Sequence, residues 1–255
     1  GAMFESISGL TTTGSTVMTD LDDKPRGILL WRAILQWFGG IGIIVTAIAI
    51  LPMLRVGGMQ LFQLESSDVA GKFMPRIGEI SAQIGMIYLF ISVCCALAYM
   101  LSGMTSFEAI AHAMTTVAAG GYSTYDASFG AFVETAAIPT AIFFMIIAGL
   151  PFSLLALALI HGKVKPLLSD PQLRLFLGLI AGITTLVFFL RVIADQDYVI
   201  ISPFSGYIET LFNVVSVMTG TGYATTAYDG WGEPVIMIFL ITIFMGGCAG
   251  SAACG

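Results

Sequence analysis

Charge is what this sequence has least of. Only 10% of the 255 residues are Asp, Glu, Lys or Arg, whereas 57% are hydrophobic and the mean hydropathy is +0.92. A soluble domain carries about 25% charged residues, so this chain cannot cover its surface in water. The ten Lys and Arg never gather into a stripe and the net charge is −6, which excludes a nucleic-acid binder. Cysteine is scarce as well. Cys94, Cys95, Cys248 and Cys254 have neither disulfide nor metal-site spacing, and the adjacent Cys94 and Cys95 read as small buried hydrophobes. No basic segment precedes an apolar one at the start, so no signal peptide is expected. No nucleophile–base pair, HExxH or catalytic carboxylate pair appears, and no enzyme is expected. What remains is an integral membrane protein.

About 20 apolar residues in a helix cross the hydrocarbon core. Stretches 28–54, 80–104, 135–160 and 173–193 have that length, with Arg32 near the start of the first. Arg174 and Arg191 bracket the fourth and are expected to snorkel to the headgroups. A fifth apolar run, 234–245, stops before Gly246-Gly247. At 1.5 Å per residue it reaches about 18 Å, a little over half of the core.

Between the spans lie short amphipathic segments, each followed by a Thr/Gly cluster. The first reads Phe4-Glu5-Ser6-Ile7-Ser8-Gly9-Leu10-Thr11-Thr12-Thr13-Gly14-Ser15-Thr16. The second ends Met114-Thr115-Thr116-Val117-Ala118-Ala119-Gly120-Gly121-Tyr122-Ser123-Thr124, and the third Ser216-Val217-Met218-Thr219-Gly220-Thr221-Gly222-Tyr223-Ala224-Thr225-Thr226. Laid on Gly14, Gly121 and Gly222, which stand 107 and 101 residues apart, they form an internal repeat. Ser8, Thr115 and Ser216 precede these glycines by six residues, and Ser15, Tyr122 and Tyr223 follow them. The fold class is all-α: a polytopic membrane protein of repeated helix, half-helix with return loop, and helix.

With the clusters on one side, Arg55, Lys72, Arg76, Lys163, Lys165 and Arg174 collect on the other. The cluster side keeps Lys24, Arg26, Arg32 and Arg191, with Asp20, Asp22, Asp23, Asp126, Glu134, Asp195, Asp197, Asp229 and Glu233. This balance puts the clusters outside, and the acidic collar would concentrate cations at the mouth.

Polar backbone at membrane depth is tolerated where protein buries it or where it lines a water-filled path. A half-spanning helix aims its negative end and free carbonyls at mid-depth. A Gly-rich strand after it can point carbonyl oxygens inward, and rings of carbonyls replace the hydration shell of a cation. Thr-Gly runs are otherwise ordinary turns; three copies in register favour the filter. Small residues from Gly246 to Gly255 read either as a close helix contact or as a broken helix whose loop lies under the third filter.

On these pieces, together with Gly246-Gly247-Cys248-Ala249-Gly250-Ser251, the chain resembles the Trk/Ktr/HKT superfamily of potassium transporters, in its bacterial TrkH type. The resemblance covers essentially all of the chain. It implies four pseudo-repeats around one pore, a homodimer in the cell (inner or plasma) membrane, a cytosolic nucleotide-binding regulatory subunit, and an intramembrane gating loop. It also implies potassium as the transported substrate, and no other cofactor. With three filters and no leading span before the first, the chain is expected to be a fragment, or the ordered part, of a longer subunit. The loop departs from the family pattern at Ala252-Ala253-Cys254-Gly255.

The chain then divides into a first repeat (1–56), a cytoplasmic connection (57–78), a second repeat (79–165) and a third repeat with the start of the gate (166–255). The expected ion ligands are the carbonyls of Thr12, Thr13, Gly14, Ala119, Gly120, Gly121, Gly220, Thr221 and Gly222. The expected gate is Gly246, Gly247, Cys248, Ala249, Gly250 and Ser251. Rival readings are a secondary transporter of another small solute, for which no midplane countercharge is found, and a non-conducting membrane scaffold.

Other residues have plainer readings. Gly39-Gly40-Ile41-Gly42 hints at a dinucleotide fingerprint, but Val45 and the apolar setting favour helix packing. His112 stands where the other copies have Glu5 and Asn213, and reads as a packed, hydrogen-bonded residue or a pH sensor. Glu108 and Glu209, each 13 residues before its glycine, are expected at the outer starts of pore helices. His161, Lys163 and Lys165 read as a basic topology anchor.

Overall fold

A computed structural model describes residues 1–54, 73–194 and 203–253, with side chains described for 1–42, 81–160, 162–194 and 203–253. Most of the expected connection, with Arg55 and Lys72, lies outside the described residues, as do Asp195, Asp197, Cys254 and Gly255; the side chain of Arg76 does too. Among the described residues every regular element is a helix, and none is a strand.

Ten α-helices follow in order: α1 (Ala2–Leu10), α2 (Arg26–Leu54), α3 (Phe73–Leu101), α4 (Ser106–Val117), α5 (Ala137–Ala148), α6 (Phe152–His161), α7 (Lys165–Ser169), α8 (Pro171–Ala194), α9 (Pro203–Met218) and α10 (Glu233–Ile243). The half-helices α1, α4 and α9 are the three expected amphipathic segments. Pro25 starts α2, its carbonyl accepting from the Ile28 N–H at 2.9 Å. A capping box starts α4: Thr105 Oγ1 accepts from the Glu108 N–H, and the Glu108 carboxylate accepts from the Thr105 N–H.

Segment 81–101 of α3 and all of α8 are long and apolar enough to cross a membrane. The expected span 135–160 is not one helix. It breaks between α5 and α6, whose axes meet at 101°. Pro151 cannot donate a backbone bond and disfavours helical geometry at Leu150. Gly149 therefore caps α5, and Pro151 caps α6.

The helices pack in a relay. In the first repeat α2 lies against its own half-helix α1 and against α4 of the second repeat; α5 of the second lies against α9 of the third. Gly39 and Gly40 allow this closeness, since a Cβ on Gly39 would lie 2.2 Å from the Leu10 oxygen and one on Gly40 2.9 Å from the Ala118 Cα. The would-be fingerprint is helix packing. Tyr88, Tyr99, Phe129, Phe152, Phe212 and Tyr223 fill the core. Exposed Phe90, Leu97, Phe189 and Leu240 form outer faces suited to lipid.

Candidate functional site

The three half-helices end in one backbone turn. Two positions with positive φ flank a single residue in each copy: Thr12 (56°) and Gly14 (76°), Ala119 (50°) and Gly121 (74°), Gly220 (71°) and Gly222 (82°). The hydrogen bonds repeat too. The N–H groups of Gly14, Gly121 and Gly222 reach back to the carbonyls of Ser8, Thr115 and Ser216 at 3.4, 3.4 and 3.3 Å. Left-handed geometry costs a non-glycine residue roughly 1–2 kcal/mol, so its presence at Thr12 and Ala119 marks a conformation imposed by surroundings.

These turns stand side by side. A Cβ built on Gly14 would lie 2.0 Å from the Gly120 carbonyl oxygen, and one on Gly121 1.8 Å from that of Thr221. The first turn thus abuts the second and the second abuts the third, each through its glycine. Gly222 meets nothing within 4 Å.

Each turn is also tied to its own half-helix by the residue nine before the glycine. Glu5 Oε1 accepts from Thr16 Oγ1 and from the Val17 N–H, both at 2.7 Å. Asn213 Nδ2 donates to Thr225 Oγ1 at 2.7 Å. His112 Nδ1 faces the Glu108 carbonyl at 2.9 Å and so carries the proton, leaving Nε2 to accept from Ser123 Oγ at 3.1 Å. With both nitrogens engaged and Phe129 and Phe132 edge-on to its ring, His112 has the geometry of a packed, hydrogen-bonded residue. Ser8 and Ser216 add bonds from their hydroxyls to the carbonyls of Ser15 and Tyr223, at 2.6 and 2.7 Å.

The tyrosines after the glycines join neighbouring repeats. Tyr122 donates to the Glu5 carbonyl at 3.0 Å, and Tyr223 lies 3.3 Å from the His112 carbonyl, one repeat back and at the equivalent position. Tyr223 also meets the hydroxyls of Thr115 and Thr116.

Three polar residues of the spans hold this assembly, and sequence reasoning missed their roles. Arg32 is only 3% exposed. Its Nε pairs with Glu5 Oε2 at 3.0 Å, Nη2 donates to Thr16 Oγ1 at 3.0 Å and Nη1 to the Ser123 carbonyl at 3.2 Å, while the guanidinium covers the Tyr122 ring. Gln36, fully buried, donates from Nε2 to the Gly120 carbonyl at 2.7 Å and accepts from the Tyr122 N–H at 3.0 Å. The Gly120 oxygen, an expected ion ligand, is therefore engaged between Gln36 and Gly14. Arg191 does not snorkel. It is 7% exposed, pairs with Glu209 at 3.0 Å, donates to Thr210 Oγ1 at 2.8 Å and lies over the Trp231 ring. Glu209, expected at the start of its half-helix, sits well inside α9 because that helix begins at Pro203; Glu108 is in the first turn of α4 as expected. An arginine or glutamine inside an apolar run was the available signal.

Beside the clusters, Asp22 and Asp126 share a loop contact, with the Asp126 N–H 3.3 Å from Asp22 Oδ2 and the Leu21 N–H 3.2 Å from Asp126 Oδ1. Burial, the largest influence on Glu108, pushes its carboxyl up, but hydrogen bonds from Tyr125 and Thr105 outweigh it and hold the group below the usual range. The same bond to Glu108, followed by burial, raises the Tyr125 phenol to about 12.

After α10 the chain turns through Gly246 and Gly250, both with positive φ. The N–H groups of Cys248 and Ala252 donate to the carbonyls of Gly149 and Ala148, and the Phe152 N–H donates to the Gly250 carbonyl, each at 3.0 Å. The Ala249 N–H reaches Gln172 Oε1 at 3.0 Å. The described loop thus docks on the break between α5 and α6. The loop after α10 and the break between α5 and α6 satisfy each other's free backbone groups.

A family model described as TrkH, cation transport protein, matches residues 1–255. The Trk system potassium uptake protein TrkI of Halomonas elongata is 43% identical over 255 residues, which are all of this chain and 51% of that protein. TrkH of Escherichia coli K12, also described as a Trk system potassium uptake protein, is 41% identical over 260 residues, covering all of this chain and 52% of its own length. The crystal structure of the potassium transporter TrkH from Vibrio parahaemolyticus superposes with a TM-score of 0.86 at 39% identity, over 99% of this chain and 51% of that one. The chain spans about half the length of the curated relatives it matches. Across its whole length it belongs to the TrkH family of cation transport proteins.

Proposed function

We propose that the complete protein passes potassium inward along its electrochemical gradient, through a filter of backbone carbonyls to which this chain contributes three of the turns. The observation that carries the reading is the repeated turn, with the glycine of one copy seated on the carbonyl of the next. Backbone held that closely presents oxygens at fixed separations, which is what exchanging a hydration shell requires. Thr12, Thr13, Gly14, Ala119, Gly121, Gly220, Thr221 and Gly222 are the ion-facing candidates, with Gly120 serving the contact between repeats. The acidic collar gathers cations at an outer mouth, and residues 246–251 act as the gate.

In this reading residues 1–56, 79–165 and 166–255 are three repeats and 57–78 is a cytoplasmic connection. The protein works in the inner membrane as a homodimer with a cytosolic nucleotide-binding subunit. Family membership supports work in a membrane, and the relatives' description as potassium uptake proteins of a Trk system supports work with further components.

Expressing the complete protein in a host stripped of its own potassium uptake tests the function. Growth at low potassium and saturable rubidium uptake are expected. Protein present in the membrane with no uptake of either cation contradicts the proposal.

A further inference from the structure

We propose that Gln36 is a specificity-determining positioning residue, whose amide turns the Gly120 carbonyl away from the ion path and the Gly121 carbonyl towards it. The inference deepens the filter reading and rests on it.

The argument is geometric. In a trans peptide the C=O and N–H point in opposite directions. Gln36 Oε1 accepts from the Tyr122 N–H, so the carbonyl in that peptide, Gly121 C=O, faces away from Gln36 and from α2. Gln36 Nε2 donates to the Gly120 C=O, so the N–H in that peptide, Gly121 N–H, also faces away, and it lies 3.4 Å from the Thr115 carbonyl of its own half-helix. One side chain thus fixes both peptide planes that flank Gly121. These set the φ and ψ of the filter glycine, which sits at φ 74°.

Two further observations fit that role. Gly120 has no room for a side chain, since a Cβ there would lie 2.5 Å from Gln36 Cδ. Arg32, one turn earlier on the same face of α2, donates to the Ser123 carbonyl. A single face of the first repeat therefore grips three backbone atoms of the second filter turn: Gly120 O, Tyr122 N and Ser123 O. Gln36 is buried and its amide is doubly bonded, so loss of the side chain would leave a buried N–H and C=O unpaired.

The test uses the complete protein and reads the ratio of potassium to sodium uptake. Gln36→Leu keeps the bulk and removes both bonds; the ratio should fall about tenfold, the scale of one or two lost buried hydrogen bonds. Gln36→Glu guards against a misfolded Leu variant, because a protonated carboxyl reproduces both bonds: its O–H donates to Gly120 and its carbonyl accepts from Tyr122. Arg32 stands one turn away on α2, paired with Glu5 of α1, and its charge favours the ionised form. The Glu variant should therefore discriminate poorly at neutral pH and recover towards the wild-type ratio as the pH is lowered, with wild type measured alongside. A merely structural role would lower protein amount without a pH-dependent ratio. Wild-type ratios in both variants at every pH overturn the proposal. Gly222→Ser serves as reference: if it loses discrimination while the Gln36 variants keep it, the inference falls and the filter reading stands. If all of them keep it, the filter reading itself falls.

Discussion

Arg32 and Glu5 form an ion pair with 3.0 Å between Nε and Oε2, buried where the first turn meets the second. Each charge has further partners: Thr16 and the Val17 N–H for Glu5, Thr16 and the Ser123 carbonyl for Arg32. Removing one member of such a pair costs about 3–5 kcal/mol, because the other stays buried and uncompensated. Arg32→Met and Glu5→Gln should each lower the thermal stability of the detergent-purified complete protein. The double variant should lose clearly less than the sum of the two. Strict additivity would mean that the pair does not couple the two turns.

Sidedness follows from the charge count and from the loop shared by Asp22 and Asp126. Single cysteines at Asp22 and at Lys163, both exposed positions, can be offered an impermeant thiol reagent on intact cells in a background lacking the native cysteines. Labelling at Asp22 with protection at Lys163 is expected. The opposite pattern reverses the topology.

Gate behaviour should depend on the contact between the loop and the break in the second repeat. The loop is held partly by apolar burial, since Cys248 and Ala252 lie in the core, and partly by a few backbone bonds. Its backbone bonds to Ala148, Gly149 and Phe152 hold the arrangement seen here, and a partner that bound a released arrangement better would shift the population towards it. Deleting residues 248–251 should raise basal flux in the complete protein and leave the potassium-to-sodium ratio near wild type. Lost selectivity with unchanged open probability would make the segment a support of the filter.

Much of this was legible in the sequence because repetition is. Three glycines in register marked the half-helices and the phase of the turns, and the short apolar run before Gly246 marked the short helix α10. The break at Gly149-Leu150-Pro151 was hidden by apolar residues on both sides, which keep the composition of a span across a bend. Arg191 looked like a membrane anchor because a charge near the end of a span has two outlets, the headgroups or a neighbouring helix, and only the packing of α8 on α9 chooses. Gln36 carries no charge and matches no motif. Its part depends on a turn 84 residues away, at Gly120.

The central claim is that Gly14, Gly121 and Gly222 are equivalent positions of one filter. Each has positive φ, and a side chain on Gly14 or Gly121 would strike the carbonyl of the adjacent turn. The most direct measurement is the ratio of potassium to sodium uptake by the complete protein carrying Gly14→Ser, Gly121→Ser or Gly222→Ser, in a host that needs potassium. All three variants should take up potassium more slowly and let sodium compete better. Discrimination unchanged from wild type in all three, with the proteins present in the membrane, would contradict the account.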